Sequence, residues 1–365
     1  MIFCSECFTD IEIKQIINHL GHLGTCPICQ KQNIFVYDTD TDTELIGKFD
    51  NLLSVYTADK YLPKGFPKED KKLLADVLCS EWDIFSQIDT SEVLKIVEAL
   101  SQSYLEDFPE ILMQPVGIVE KYDKDYLYKH SILKTEKWSD FVNSIKHKNR
   151  FHTNLINLDL LKKYCNTISE DLPLGKTRYY RGRIANDIKG FTPKDMGAPP
   201  PICATDGRAN SNGISRLYLT NNRETTLHEI RAAEYDYITI GTFKPNAPLK
   251  VVDLSNISHI SPFIEDIDCT ALAINKETLQ RINEDMSKTM RRGDSNLDYL
   301  PTQFISDFVM SIIDADGNAL YDGIKYKSAM NTGGYNLAIF DPSKFKCTSC
   351  KTYEITGLTY SKKGL

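Results

Sequence analysis

The spacing of apolar residues changes along the chain and predicts a helical segment followed by a strand-rich one. Between residues 62 and 163, apolar positions recur every three to four residues in "PKEDKKLLADVLCSEWDIF", "TSEVLKIVEALSQSYL" and "EKWSDFVNSIKHKNRF", which is the period of an amphipathic helix. From about Asp171 onward, short runs such as "TRYYRGRI", "YDYITIGTF" and "LKVVDL" are separated by glycine, proline and asparagine. That pattern is typical of strands joined by turns.

These changes of pattern predict three domains. Residues 1–50 are rich in cysteine and end in an acidic stretch, "DTDTDTELIGKFDN", which is typical of a linker. Residues 51–165 form a predicted all-α domain, and residues 166–365 form a predicted α+β domain with mixed strands. A length of 365 residues with 41% hydrophobic content is sufficient for the cores of two or three domains.

The first segment carries two Cys-x-x-Cys pairs, "CSEC" and "CPIC". They supply four thiolates: Cys4, Cys7, Cys26 and Cys29. Two such pairs are typical of a closed tetrahedral zinc site, so we expect a structural zinc ribbon whose metal contributes folding free energy. A later pair, Cys347 and Cys350, has no second half nearby, and the sequence leaves open whether it binds metal.

The stretch "RLYLTNNRETTLHEIR", residues 216–231, predicts a strand that leads directly into a helix. "RLYLT" alternates like a strand, and Asn221 and Asn222 can cap a helix over "RETTLHEIRAAE". Glu229 is expected about two turns into that helix, beside the sheet. A carboxylate in such a place is costly unless it is paired or functional, which makes Glu229 the candidate catalytic residue. The alternative is a surface glutamate beside Arg231.

Three arginines and the first residues of a later predicted helix are candidate anion-binding groups. Arg181 and Arg183 are two apart on a predicted strand and share a face, where two guanidinium groups suit a pyrophosphate or a carboxylate. Arg208 lies in a Gly/Asn-rich loop of the kind whose backbone faces anions. Thr302 and Gln303 begin a predicted helix whose N-terminal amides favour anionic groups.

The last predicted strands supply two further candidates, both within "YDGIKYKSAMNTGGYNLAIF". Ser328 has no histidine or lysine relay, because Lys327 points to the other side of a strand, so a ligand-binding hydroxyl is favoured over a nucleophile. Asn336 is a candidate substrate-binding residue in the final buried strand.

The net charge and the N-terminal residues exclude some classes of function and location. With 43 basic and 50 acidic residues the net charge is -7, which argues against a generally cationic surface for nucleic acid. No apolar run of about eighteen residues occurs, and "MIFCSECFTD" lacks the features of a signal peptide. We therefore expect a cytoplasmic protein without a membrane span.

In their order along the chain, these motifs resemble the RES domain, a family named for Arg, Glu and Ser. The resemblance rests on the arginine of "YYRGR", a Gly-Arg-Ala-Asn loop, the glutamate of "LYLTNNRETTLHEI" and the serine of "YDGIKYKSAMNTGGYNLAIF". It covers about residues 172–340, and the preceding helical segment is loosely similar to the N-terminal domain of some RES proteins. The residues matched by position are Arg181, Arg208, Tyr218, Glu229 and Ser328.

The resemblance implies a fold related to ADP-ribosyltransferases and an enzyme that consumes NAD+, usually a bacterial toxin or defence effector. Arg181, Glu229 and Ser328 would be catalytic, and the remaining candidates would bind the substrate NAD+. An antitoxin is the partner typical of RES toxins, although the N-terminal segments of this chain would instead allow it to regulate itself. The sequence leaves open whether phosphate, water or a macromolecule receives the ADP-ribosyl group.

The aromatic group that would stack on nicotinamide is also left open. Glycine occupies position 182, where some family members carry an aromatic residue. Tyr179, Tyr180 and Tyr218 therefore all stay candidates for this contact.

Two other interpretations stay open from the sequence. "RETTLH" has the Arg-x4-His spacing of HEPN ribonucleases, which would make the protein an RNA-cleaving enzyme. Alternatively, the zinc ribbon binds a partner and the rest of the chain is a non-enzymatic scaffold. The ribbon carries few basic residues, so the partner would be a protein rather than nucleic acid.

Overall fold

The chain folds into two compact units in a computed structural model that describes residues 1–172, 174, 175, 177–290 and 293–359. The first unit is Met1–Thr135 with His259–Lys276, and the second is Glu136–Ser258 with Glu277–Leu365. Residues 136–165, predicted to join the helical segment, pack in the second unit, because Phe141 contacts Phe304 with ring centroids 5.2 Å apart. The assignment of separate domains to residues 1–50, 51–165 and 166–365 stays a prediction.

The first unit is mainly helical and has two small sheets. Its strands are β1 (Ile2–Cys4), β2 (Leu23–Gly24), β3 (Ile34–Asp38), β4 (Thr57–Ala58) and β5 (Val116–Gly117). Its helices are α1 (Ile11–Leu20), α2 (Lys48–Leu53), α3 (Leu74–Asp76), α4 (Thr90–Leu100), α5 (Gln102–Asp107), α6 (Glu110–Met113) and α7 (Lys124–His130). The antiparallel pair β4 and β5 lies in the segment predicted to be all-α. Strands of two residues are too short to produce a detectable period.

Four cysteine side chains come together in the first unit. Cys4 ends β1, Cys7 lies in the turn that follows, and Cys26 and Cys29 lie between β2 and β3. The Sγ atoms of Cys4 and Cys29 are 3.4 Å apart, and those of Cys7 and Cys26 are 3.7 Å apart. Tetrahedral Zn–S bonds of about 2.3 Å would place sulfurs about 3.8 Å apart. The cluster therefore has the dimensions of a site that can hold a metal ion.

The second unit combines helices with a large mixed sheet. Its strands are β6 (Ser169–Leu172), β7 (Tyr179–Ala185), β8 (Leu217–Thr220), β9 (Tyr237–Pro245), β10 (Leu249–Asp253), β11 (Gly323–Lys327), β12 (Tyr335–Ile339) and β13 (Phe345–Glu354). Its helices are α8 (Trp138–His147), α9 (Leu158–Thr167), α10 (Arg223–Glu229), α11 (Cys269–Ser287, shared with the first unit) and α12 (Leu300–Ser311). Among the described residues, no helix has the length and apolar character needed to cross a membrane.

The large sheet has two chemically different faces. Its strand order is β13-β9-β7-β8-β12-β11-β10-β6, with β10 and β11 parallel and the other neighbours antiparallel. One face is an apolar core to which β8 and β12 contribute Leu219 and Leu337. Because side chains alternate along a strand, Tyr218 and Asn336 lie on the opposite face. The predicted C-terminal α+β domain with mixed strands is thus confirmed.

Helix α10 lies so close to β7 and the start of β12 that two glycines are required. A Cβ atom at Gly182 would lie 2.7 Å from Thr226 Cγ2 and 3.0 Å from Ile230 Cδ1. A Cβ atom at Gly334 would meet the side chain of Thr225. Glycine is the residue that permits such a close approach. The glycine in "YRGR" therefore serves packing of the helix that ends at Glu229.

We predict that Gly182→Ala lowers the free energy of unfolding by about 1–3 kcal/mol, because the added methyl group overpacks the contact with α10. Denaturant unfolding measures this change. Gly197→Ala is a matched control, since a Cβ atom at Gly197 has no atom within 4 Å and its φ of -64° suits alanine. Equal stability of the two variants would contradict the packing argument.

Candidate active site

One face of the large sheet borders a cleft of about 540 Å³, a volume typical of small-molecule sites. Strands β7, β8, β11 and β12 form its floor through Tyr180, Gly182, Thr220, Tyr326 and Asn336. The sides come from α10, from the loop that carries Arg208 and from the segment that follows α11. The cleft lies on the polar face of the sheet, opposite the apolar core.

Glu229 borders this cleft and is held by two residues from distant parts of the chain. Ser328 Oγ donates to Glu229 Oε1 over 2.6 Å, and Asn336 Nδ2 donates to the same oxygen over 2.8 Å. The Ser328 oxygen accepts from the backbone N–H groups of Met330 and Asn331, both at 3.2 Å. Three predicted site residues therefore form one hydrogen-bonded group, which we call the Glu229 cluster.

Helix α10 is shorter than the sequence predicts, so Glu229 lies at its end. Asn222 caps the start as expected, since Asn222 Oδ1 accepts from Thr225 N at 2.8 Å. The helix stops at Glu229 because Arg231 adopts a left-handed conformation with φ of 51°. The predicted continuation through "RAAE" is therefore wrong, and the Glu229 side chain is exposed in the last turn.

Arg181 and Arg183 share a strand face as predicted, but their guanidinium groups lie on the side of β7 opposite Gly182. Arg181 donates to the carbonyl oxygens of Met196, at 3.0 Å, and of Gly197. Arg183 donates to the carbonyl oxygen of Asp195. Burial, with a smaller effect of Arg183, lowers the pKa of Arg181 to about 10. Arg181 borders the cleft from the strand, while its charge contacts the loop beneath the sheet.

Arg208 borders the cleft from the loop that precedes β8. Its Nη1 donates to the carbonyl oxygen of Asp285 over 2.6 Å, and its Nη2 donates to that of Lys288. These carbonyls lie at the C-terminal end of α11, where a positive charge is favourable. Arg208 thus joins its own loop to the segment at the end of α11, which also contributes to the cleft lining.

Thr302 and Gln303 lie in the first turn of α12, as predicted, but both are buried and bonded within the protein. Thr302 Oγ1 donates to the carbonyl oxygen of Tyr299 at 2.9 Å. Gln303 Nε2 donates to the carbonyl oxygens of Gly207 and Asn210, at 3.0 and 2.8 Å. Gln303 therefore supports the loop that carries Arg208.

The three candidate tyrosines occupy different environments. Tyr179 is buried in the apolar core, edge-on to Phe345. The Tyr218 hydroxyl donates to Asn210 Oδ1 over 2.6 Å, and burial raises the pKa of Tyr218 well above its usual range. Tyr180 is half-buried on the cleft face, with the Arg223 guanidinium 5.4 Å from its ring centroid. Of the three, Tyr180 offers its ring most directly to a ligand.

Several residues that line the cleft were not among the candidates predicted from the sequence. Thr226 lines the cleft and bonds Thr220 hydroxyl to hydroxyl at 2.5 Å. Arg231 lines it two residues after Glu229 and donates to the carbonyl oxygen of Met290. Helical spacing gave no signal for Arg231, because it lies beyond the end of the helix.

The Arg-x4-His pattern lies on α10, with Arg223 and His228 both exposed. Residues five apart on an α-helix differ by about 140° in direction, so the two side chains do not share a face.

Among the residues that the structure describes, one group of three or more metal-ligating side chains is close enough together to hold a metal ion. This group is the four N-terminal cysteines.

Comparison with known proteins agrees with the order of these motifs. The family model described as the RES domain matches residues 179–359, a stretch that includes the whole Glu229 cluster. No curated protein and no solved structure is similar enough to the chain to give a match. Residues 179–359 of the chain therefore form a RES domain.

Proposed function

We propose that the protein cleaves the nicotinamide–ribose bond of NAD+, with Glu229 as the catalytic carboxylate. RES domains are generally associated with NAD+-related toxin or effector activity. The observation that carries the proposal is the Glu229 cluster, in which one carboxylate at the edge of a ligand-sized cleft is oriented by Ser328 and Asn336. A carboxylate held in this way is suited to stabilise positive charge that develops on a substrate.

The chemistry of NAD+ cleavage needs one carboxylate. When the C–N bond breaks, its electron pair neutralises the pyridinium nitrogen, so nicotinamide leaves as a neutral base without a general acid. Ordinary glycosidases need two carboxyl groups because their leaving group must be protonated. Glu229 would stabilise the oxocarbenium-like ribose and orient an incoming oxygen nucleophile through the ribose hydroxyls.

Ser328 and Asn336 act as positioning residues in this proposal. Their bonds to Glu229 Oε1 limit the rotation of a side chain that is otherwise exposed in the last turn of α10. Asn336 is 5% exposed, and its Oδ1 atom has no hydrogen-bond partner among the described residues.

The remaining cleft residues suit the other parts of a dinucleotide. The half-buried Tyr180 ring is placed to stack on nicotinamide or another flat group. Arg208 borders the cleft from the loop that precedes β8 and carries a positive charge suited to the diphosphate. Arg181 would contribute by fixing the loop at Met196 and Gly197, since its guanidinium donates to both carbonyls.

The identity of the acceptor decides which reaction occurs. Phosphate as acceptor gives phosphorolysis, water gives hydrolysis, and a macromolecule gives ADP-ribosyl transfer. In each, the nucleophilic atom of the acceptor forms the new bond at the ribose carbon from which nicotinamide leaves, and the acceptor gives up its proton where it carries one. The mixed sheet and cleft suit an ADP-ribosyltransferase-like core, which is part of this proposal. The role as a toxin or defence effector, with an antitoxin or the N-terminal segments as restraint, is proposed from the family alone.

The four-cysteine cluster is proposed to bind a structural zinc ion. Three of its sulfur–sulfur distances are 3.4 to 3.7 Å, close to those of a tetrahedral thiolate shell, and all four sulfurs lie within 4.8 Å of one another. Three of the four cysteines are buried. All four coordination positions would be filled by protein, so the ion would stabilise the fold without taking part in NAD+ cleavage.

We predict that Glu229→Gln lowers NAD+ turnover by roughly 10²- to 10⁴-fold, because the amide cannot stabilise positive charge. Turnover is measured with and without inorganic phosphate, and mass spectrometry identifies the products. ADP-ribose 1''-phosphate would indicate phosphorolysis, free ADP-ribose hydrolysis, and a mass gain on protein transfer. Glu224→Gln is a matched control in the first turn of the same helix, and full activity of Glu229→Gln would refute the assignment.

We predict that Ser328→Ala lowers kcat by about 10- to 100-fold, the value of a lost hydrogen bond to a charged group. KM for NAD+ should change little, because the hydroxyl acts through Glu229. Ser328→Thr retains the hydroxyl and should recover most of the lost activity. A large rise in KM with unchanged kcat would instead indicate that Ser328 binds NAD+ directly.

We predict one zinc ion per chain in the purified protein, measured by elemental mass spectrometry. Cys26→Ser should lower both the zinc content and the melting temperature, because binding of the metal contributes to folding. Cys203→Ser is the control, since Cys203 is exposed and outside the cluster. A Cys26→Ser variant with unchanged metal content and stability would rule out a structural zinc site.

A further inference from the structure

We propose that Arg231 is a substrate-binding residue that contacts a phosphate group in the cleft beside Glu229. The inference rests on the proposed function and adds to it a residue for which the sequence gave no signal. Its supports are the backbone conformation of Arg231, its place in the cleft and the charges around it.

Arg231 occupies a backbone position that normally selects glycine. Its N–H bonds to the carbonyl oxygen of His228, and the next residue, Ala232, bonds to that of Leu227. These two bonds form a Schellman motif at the end of α10, in which the residue with positive φ is usually glycine. At φ of 51°, an arginine costs free energy that glycine would not cost.

Residues held in such backbone conformations cluster at active sites and ligand-binding sites. The Arg231 side chain is exposed and lines the cleft, two residues after the proposed catalytic carboxylate. The neighbouring Ile230 lies against the Gly182 position of β7, which keeps this turn close to the sheet. The left-handed backbone conformation of Arg231, although it costs free energy, thus accompanies a guanidinium group that lines the cleft.

The surroundings of Arg231 suit an anionic ligand. Its Nη2 donates to the carbonyl oxygen of Met290, and Arg208 donates to those of Asp285 and Lys288 in the same segment. Two guanidinium groups of residues that line the cleft thus bond to the same segment, residues 285–290. A guanidinium has five N–H donors, so the bond to Met290 leaves donors for a ligand. Paired arginines match the oxygens of phosphate groups in charge and geometry.

Two phosphate sources share this chemistry. One is the diphosphate of NAD+, and the other is inorganic phosphate that attacks the ribose carbon. A contact with the diphosphate would affect KM for NAD+ whatever the acceptor. A contact with attacking phosphate would affect KM for phosphate alone.

The experiment compares Arg231→Gly and Arg231→Gln with wild type in the full-length protein. Arg231→Gly relieves the backbone, and Arg231→Gln keeps a polar amide side chain while removing the charge. Tyr235→Gly is the matched control, because Tyr235 has φ of 71°, is 73% exposed and is absent from the cleft lining. We measure melting temperatures, calorimetric binding of ADP and of inorganic phosphate, and KM for NAD+ and phosphate.

We expect Arg231→Gln to melt like wild type and to bind ADP or phosphate at least tenfold more weakly. Arg231→Gly should show the same loss of binding, with a melting temperature equal to or above that of wild type. Tyr235→Gly should also melt at or above the wild-type temperature, but it should bind both ligands as wild type does. A rise in KM for NAD+ would identify the diphosphate as the ligand, and a rise in KM for phosphate would identify the acceptor.

Other outcomes separate this inference from the proposed function. Binding of both ligands at wild-type strength by Arg231→Gln, or no binding of either by wild type, would overturn the role of Arg231. If wild type binds ADP or phosphate but leaves NAD+ intact, while Arg231→Gln loses that binding, the phosphate contact stands and the proposed NAD+ cleavage fails.

Discussion

The close contact between α10 and the sheet is the constraint on which the rest of the candidate site depends. Gly182 and Gly334 have no side chains, so Thr226 and Thr225 of the helix can approach the backbone of β7 and of the turn before β12. A helix of seven residues has little stability of its own, and its position comes from this packing. Glu229, at the end of that helix, is therefore placed by glycines that take no part in chemistry.

The two faces of the sheet have different roles: one packs in the apolar core, and the other lines the cleft. Residues such as Leu219 and Leu337 bury one face, while their strand neighbours Thr220 and Asn336 line the cleft on the other. This division explains why Tyr179 and Tyr180, adjacent in sequence, have such different surroundings. It also separates the guanidinium group of Arg181, which donates to the carbonyl oxygen of Met196, from the cleft that Gly182 faces.

The sequence predicted the order of the motifs, the strand-to-helix corner and the cap at Asn222, because each depends on local patterns. It also selected Glu229, Ser328 and Asn336 as candidates, but the hydrogen bonds that join them depend on a fold that local patterns do not encode. Alternation predicted that Arg181 and Arg183 share a face, but it could not decide which face meets the ligand. The helical pattern placed Gln303 at the start of α12, but only the packed structure shows that its side chain bonds to the loop that carries Arg208.

The Glu229 cluster joins residues that are far apart along the chain. Ser328 lies 99 positions after Glu229 and Asn336 lies 107 positions after it. During synthesis, Glu229 leaves the ribosome well before either partner, so the carboxylate is not oriented until β12 has been made. Contacts of such large sequence separation form late in folding. An incomplete chain that ends before Ser328 consequently lacks the oriented carboxylate, however well its earlier helices have folded.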